Sequence, residues 1–265
     1  MPMIWGIIAA GRALRMSRPH LGMRWVRTVL HMGVHRTGTT SLQHMLDRNA
    51  NQLGRKGVAR LIVYEENMMG PIRVNMQAGA LYPQAGARLA RFGAAFRLHC
   101  DTIVVTIRSY DTYWESCLAY TKAVGMPLRP LSIMAQAATG PRGWRDVIRD
   151  LGAGFPDCDI KVAVYEEPAD AGAVMLDTTA LDDTHQCYNV TPAGAAPTFD
   201  PATRNQLRDR YATDIAWLDN GADGIATRIT LNTHTDMDRI GLGELAKAGP
   251  GTSTGGHHGN QRRLV

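Results

Sequence analysis

The sequence predicts an α/β domain built on a central, mostly parallel sheet flanked by helices. Three observations carry this. β-rich runs alternate with helical stretches along the chain, the pattern of strands joined by crossover helices. One run, Thr102-Ile103-Val104-Val105-Thr106-Ile107, is almost continuously β-branched, as strands covered on both faces are. A glycine-bounded loop, Gly33 to Gly38, lies between the first convincing strand and a helix.

In chain order, Val26 to Met32 reads as that first strand and Thr39 to Arg48 as the helix after the loop, with Leu42, Met45 and Leu46 on one face. Val58 to Tyr64 is a second strand, Ala85 to Leu98 an Ala- and Arg-rich helix, and Thr102 to Ile107 the strongest strand. Helices are expected over Asp111–Ala123 and Gly143–Leu151, with a buried strand over Ile160–Tyr165. Ala202 to Leu218 is an amphipathic helix, with Leu207, Tyr211, Ile215 and Leu218 on its apolar side. The tetrapeptide Val-Tyr-Glu-Glu occurs at 63–66 and again at 164–167, a repeat taken as coincidence.

The expected organisation is one domain over 23–247, preceded by an extension over 1–22 and followed by a flexible tail over 248–265 rich in Gly, Ser, Thr and His. Met23 stands just before the first strand, so the extension is either dispensable or a misplaced start. The apolar run from Met3 to Ala10 is much too short to span a bilayer and reads as neither signal nor anchor. With 265 residues, 45% of them apolar, the chain can bury a core without disulfides or metal. Cys100, Cys117, Cys158 and Cys187 are widely spaced, which points to free thiols in a reducing compartment rather than a disulfide framework or zinc site. A cytoplasmic location is expected.

The net charge is +5 and the isoelectric point about 9.2. The excess is local: Arg12, Arg15, Arg18, Arg24 and Arg27 lie in the first 27 residues without an acid. That distribution argues against a broad nucleic-acid surface and leaves room for a basic pocket that takes a small anion.

The loop Gly33-Val34-His35-Arg36-Thr37-Gly38-Thr39-Thr40 has the glycine spacing of a phosphate-binding loop. Glycines let the backbone curl so that N–H groups converge, and the helix N-terminus adds partial positive charge. A nucleotide triphosphatase loop carries Lys directly after the second glycine; here that place is Thr39, and the cation is Arg36, inside the loop. A cation there can sit beside the bridging oxygen of a phosphosulfate instead of clamping β- and γ-phosphates.

At this loop the sequence resembles the sulfotransferases that use 3'-phosphoadenylyl sulfate, particularly bacterial members and the carbohydrate sulfotransferases. Their loop reads roughly Lys-Thr-Gly-Thr-Thr-Ser/Ala-Leu, and here it is Arg36-Thr37-Gly38-Thr39-Thr40-Ser41-Leu42. The resemblance covers roughly residues 27–166 and implies the P-loop-like sulfotransferase fold. It implies that Gly33, Arg36, Thr37, Gly38, Thr39, Thr40 and Ser41 hold the 5'-phosphosulfate. Arg replaces the family's usual Lys, which keeps the charge but gives up proton donation. It implies further that Arg108, ending a strand, and Ser116, eight residues on in the next helix, hold the 3'-phosphate. The donor would be 3'-phosphoadenylyl sulfate and the product adenosine 3',5'-bisphosphate, with no metal required.

Transfer needs a base, for which the resemblance implies Glu or His. Glu66 is the first choice and Glu65 the second; His35 touches sulfuryl oxygens or shapes the loop. His31 reads as a packed core histidine, Tyr113 and Trp114 as pocket or core residues, and Glu166 and Glu167 as structural. Tyr188-Asn189-Val190-Thr191 is similar to a segment of bacterial members, and Gly255 to Gly259 is a faint candidate for the family's second 3'-phosphate loop. The acceptor is a hydroxyl or amine on a small molecule, carbohydrate or lipid. A P-loop kinase or NTPase and a non-catalytic nucleotide-binding relative are the alternatives.

Overall fold

The computed structural model describes residues 6–10, 27–39, 60–96, 100–127, 130–167, 175 and 199–229. The predicted helix beyond Thr39, the segment 188–191, the candidate loop 255–259 and the tail 248–265 lie outside the described residues, as do Thr40, Ser41 and Cys187.

The strands are β1 (Gly6–Ala10), β2 (Arg27–His31), β3 (Arg60–Tyr64), β4 (Thr102–Ile107), β5 (Asp159–Val164) and β6 (Ala226–Arg228), in the spatial order β1-β3-β2-β4-β5-β6. β2 to β6 are mutually parallel and β1 runs antiparallel along β3. The helices among the described residues are α1 (Ile72–Ala78), α2 (Ala85–Phe96), α3 (Tyr110–Ala123), α4 (Pro130–Thr139), α5 (Trp144–Gly154) and α6 (Pro201–Asp219). The chain is therefore an α/β protein with a parallel sheet flanked by helices.

The local causes are visible. On one face of the sheet Leu30, Met32, Val63, Ile103, Val105, Ile107, Ile160, Val162 and Val164 join the main core cluster. Val29, His31, Ile62, Val104 and Ala163, which alternate with them, are buried too. Burial on both faces is why β4 and β5 carry near-continuous apolar runs rather than an alternating pattern. α6 starts on a favourable signal: Pro201 occupies the first turn, and the Asp200 carboxylate accepts from the Thr203 N–H at 3.0 Å. Its predicted apolar side is the one that packs, with Leu207 and Leu218 buried and Tyr211 and Ile215 half-buried against the core.

α2 and α5 meet through glycines. A Cβ on Gly93 would stand 1.8 Å from the Gly154 carbonyl oxygen, and one on Gly154 would press on Leu89 at 2.9 Å. Both closest approaches involve groups that cannot swing aside without moving a helix. Gly93→Ala should therefore destabilise the protein by roughly 1–3 kcal/mol through overpacking, despite alanine's better helix propensity. A urea titration would check it; an unchanged or higher midpoint would contradict the geometry.

Candidate functional site

The site lies at the C-terminal ends of the parallel strands. From β2 the chain crosses to β3 on one side, and then returns to β4 on the other. The loops after β2 and β4 thus diverge, which opens a crevice between them of the kind where open α/β sheets take ligands. The glycine-bounded loop follows β2, Glu65 and Glu66 follow β3, Arg108 follows β4, and Tyr165 and Glu166 follow β5. The repeated Val-Tyr-Glu-Glu segments are the tips of β3 and β5, either side of the crevice.

The loop is held by its own side chains. Gly33 leaves no room for a Cβ, which would meet Thr39 Cγ2 at 2.5 Å and Glu66 Cγ at 3.2 Å. Arg36 and Gly38 both take left-handed backbone, φ 66° and 77°, costing a non-glycine residue roughly 1–2 kcal/mol at Arg36. The Thr37 hydroxyl donates to the Val34 carbonyl at 2.7 Å, and the Thr39 hydroxyl donates to the Glu66 carboxylate. These threonine protons are engaged within the loop rather than offered to a ligand. Among the described residues the N–H groups of Gly38 and Thr39 have no hydrogen-bond partner, and Thr39 enters a helix. They form a donor set at a helix start, suited to an anion.

The two halves of the expected anion site meet. Arg36 Nε donates to Ser116 Oγ at 2.9 Å, and Arg108 Nη1 donates to the Arg36 carbonyl at 2.7 Å. Arg108 Nε donates to Thr112 Oγ1 at 3.0 Å, and its guanidinium lies 4.5 Å from the centre of the half-exposed Tyr165 ring. Among the described residues Arg108 has no ion pair, so its charge is held by neutral groups. The Arg36 guanidinium lies 5.4 Å from the ring centre of Tyr120, also partly exposed. Ser116 is 2% exposed, and its hydroxyl is covered by Arg36 rather than open to the crevice. In this conformation it positions the loop arginine.

Arg108 is anchored from behind. Its carbonyl accepts from Trp144 Nε1 at 2.7 Å, and the Trp144 N–H donates to Tyr110 and to Asp214 at 2.6 and 2.9 Å. Glu166 accepts from the Ser109 N–H at 2.8 Å and the Tyr211 hydroxyl at 3.0 Å, tying β4 and β5 to α6. Glu167 pairs with Arg228. Both acids are structural. Tyr113 and Trp114 are buried in the core and line no crevice.

The two acids after β3 divide. Glu66 reaches the loop through Thr39. Glu65 is buried, with Oε1 accepting from the Asn67 N–H at 2.7 Å and Oε2 without a partner. His35 ends an oriented polar chain. Asn75 donates to the Tyr113 hydroxyl at 3.0 Å, and Tyr113 contacts Tyr82. The Tyr82 oxygen accepts the His35 N–H and lies 2.9 Å from His35 Nδ1. Burial lowers the His35 pKa to about 4, so the ring is neutral near pH 7. Tyr82 can then donate to Nδ1, which leaves the proton on Nε2, 3.4 Å from Asn67 Oδ1. In that tautomer the His35 ring presents its N–H toward Asn67. His31 is the packed histidine expected, 1% exposed with neither ring nitrogen paired.

The sequence pointed to the loop, Glu66, Arg108 and Ser116. It did not point to Tyr82, Asn67, Tyr120, Tyr165 or Trp144, whose partners are remote in the chain. Only the shared Tyr before each Glu-Glu pair could have flagged Tyr165. Among the described residues no group of three or more His, Cys, Asp or Glu could hold a metal ion, and no helix is long and apolar enough to cross a membrane. No family model, curated protein or solved structure matches the chain.

Proposed function

We propose that the chain is a sulfotransferase of the P-loop-like fold, moving the sulfuryl group of 3'-phosphoadenylyl sulfate to an acceptor hydroxyl or amine on a small molecule, carbohydrate or lipid. The observation that carries this reading is the meeting of Arg36 with Ser116 and Arg108, at 2.9 and 2.7 Å. A nucleotide bearing phosphate at both 3' and 5' positions needs two cationic donor sets in one crevice, and these sets share that crevice. Arg108 fits the group because its neutral partners leave its charge to be offset by an anion.

The bound donor supplies a sulfuryl group on a phosphate leaving group. Gly38 and Thr39 N–H groups receive the 5' end. Arg36, always charged, offsets the negative charge that gathers on the departing phosphate, without giving up a proton. Arg108 presents its guanidinium fork to the 3'-phosphate. Ser116 sets the direction of Arg36. Glu66, at the loop's edge, takes the acceptor's proton, while Glu65, turned into its own turn, fixes the loop after β3. His35 offers a neutral N–H.

Calorimetric titration with adenosine 3',5'-bisphosphate in the presence of EDTA tests the reading. Metal-independent binding is expected. Arg108→Ala should weaken it by about 2 kcal/mol, or roughly 30-fold, as for a lost charged hydrogen bond. Tight magnesium-dependent ATP binding together with no affinity for the bisphosphate would instead establish a kinase-like protein.

A further inference from the structure

At the opposite rim of the sheet from the crevice, two cysteines face each other. Cys100 lies two residues before β4 and Cys158 immediately before β5. The Cys158 Sγ lies 3.1 Å from the Cys100 carbonyl oxygen, and the two thiols contact each other. β4 and β5 are adjacent and parallel, with Thr102 opposite Asp159. The Asp159 N–H donates to the Asp101 carbonyl at 3.0 Å, extending the register by one step. That places Cys100 and Cys158 one residue out of step on neighbouring chains, a Cα separation of about 6 Å, within the range a disulfide spans. Both are reduced in this structure.

We propose that Cys100 and Cys158 are a redox modification site, closing to a reversible disulfide that staples β4 to β5 at their N-terminal rim. Cys158 is the half-buried member and Cys100 the buried one, so Cys158 meets a solvent-borne oxidant first. Contact between the two thiols lowers the Cys158 pKa against burial, and the same contact, with burial, pushes Cys100 up. Cys158, the more accessible and the more readily deprotonated of the two, is therefore the attacking thiol and Cys100 the resolving one.

With hydrogen peroxide as oxidant, the Cys158 sulfur attacks one peroxide oxygen. The O–O bond breaks, hydroxide leaves, and Cys158 carries a sulfenic acid. Cys100 sulfur then attacks the sulfenic sulfur; the S–S bond forms, and hydroxide leaves with the Cys100 proton as water. The two thiols lose two electrons and the peroxide gains them. The closed loop spans some 59 residues (Cys100 to Cys158), long enough for the cross-link to remove much entropy from the unfolded chain. Because this rim is remote from the crevice, the inference is independent of the proposed enzymatic reading.

The test uses the full chain treated with a slight excess of hydrogen peroxide, then alkylated under denaturing conditions and mapped by mass spectrometry. The expected result is a linked Cys100–Cys158 peptide, Cys117 still alkylated, and a melting temperature raised by about 5 °C or more. Dithiothreitol should reverse both changes, and Cys158→Ser and Cys158→Ala should both abolish the rise. Recovery of Cys158 as a sulfinic acid, or linked to Cys187, would overturn the proposal. So would a linked peptide with no change in melting.

Discussion

Arg36→Ala is expected to lower turnover by about 100- to 1000-fold, the usual cost of losing one group that stabilises charge in the transition state. Melting temperature should move little, because the change has opposing parts. Alanine forfeits the bond to Ser116 and keeps the left-handed strain at φ 66°, but it releases a partly buried guanidinium. Arg36→Gly removes that strain as well, and should be just as inactive. Arg36→Lys should recover most of the turnover, since lysine restores the charge. Steady-state assays with saturating donor separate these effects from binding. Retention of wild-type turnover in Arg36→Gly would remove the arginine from the chemistry, even if Arg108→Ala behaves as expected.

The elements that were legible in the sequence are those whose signal is local. β4 was marked by its β-branched run, α6 by the spacing of Leu207, Tyr211, Ile215 and Leu218, and the loop by glycines at 33 and 38. β2 and β5 came within a residue or two of their predicted limits. Elements defined by their neighbours were not read. β1 is five residues whose strand character comes from pairing with β3. α1 is seven residues, too short for a period to register, and β6 is three. The same division holds at the site. Arg36, Arg108 and Ser116 could be listed from spacing, but not the bond that covers Ser116. Nor could spacing show that Thr37 bonds back to Val34, or that Tyr82 fixes the tautomer of His35 from 47 residues away.

A second large effect concerns acid. Burial lowers the pKa of both His31 and His35 to about 4 from the ordinary 6.5. Above pH 6.5 both rings are neutral, folded or unfolded, and stability is independent of them. Below it the unfolded chain takes up protons that the folded one refuses, so stability falls as pH falls, until the folded rings titrate near pH 4. Each histidine accounts for roughly 3 kcal/mol by that point, and together they approach the whole stability of an ordinary domain. Urea midpoints between pH 7 and pH 4 should therefore drop steeply. His31→Leu, which replaces an unpaired buried ring with an apolar side chain, should remove about half of the drop. A pH profile identical to wild type in that variant would show that His31 is not the group that resists protonation.

The two ends of the sheet are built differently. β6 is short, and its Arg228 is tied to Asp219 and Glu167, so it presents little on which another chain could build. β3 is longer and apolar, and β1 runs along its outer side from Gly6 to Ala10. A recombinant form begun at Met23 would lack that cover and present the amide and carbonyl row of Leu61-Ile62-Val63 to other molecules. Such a row templates strand addition between copies. Residues 6–10 thus take the border position from β3, so that the amide and carbonyl groups of Leu61-Ile62-Val63 are paired on both sides within the sheet.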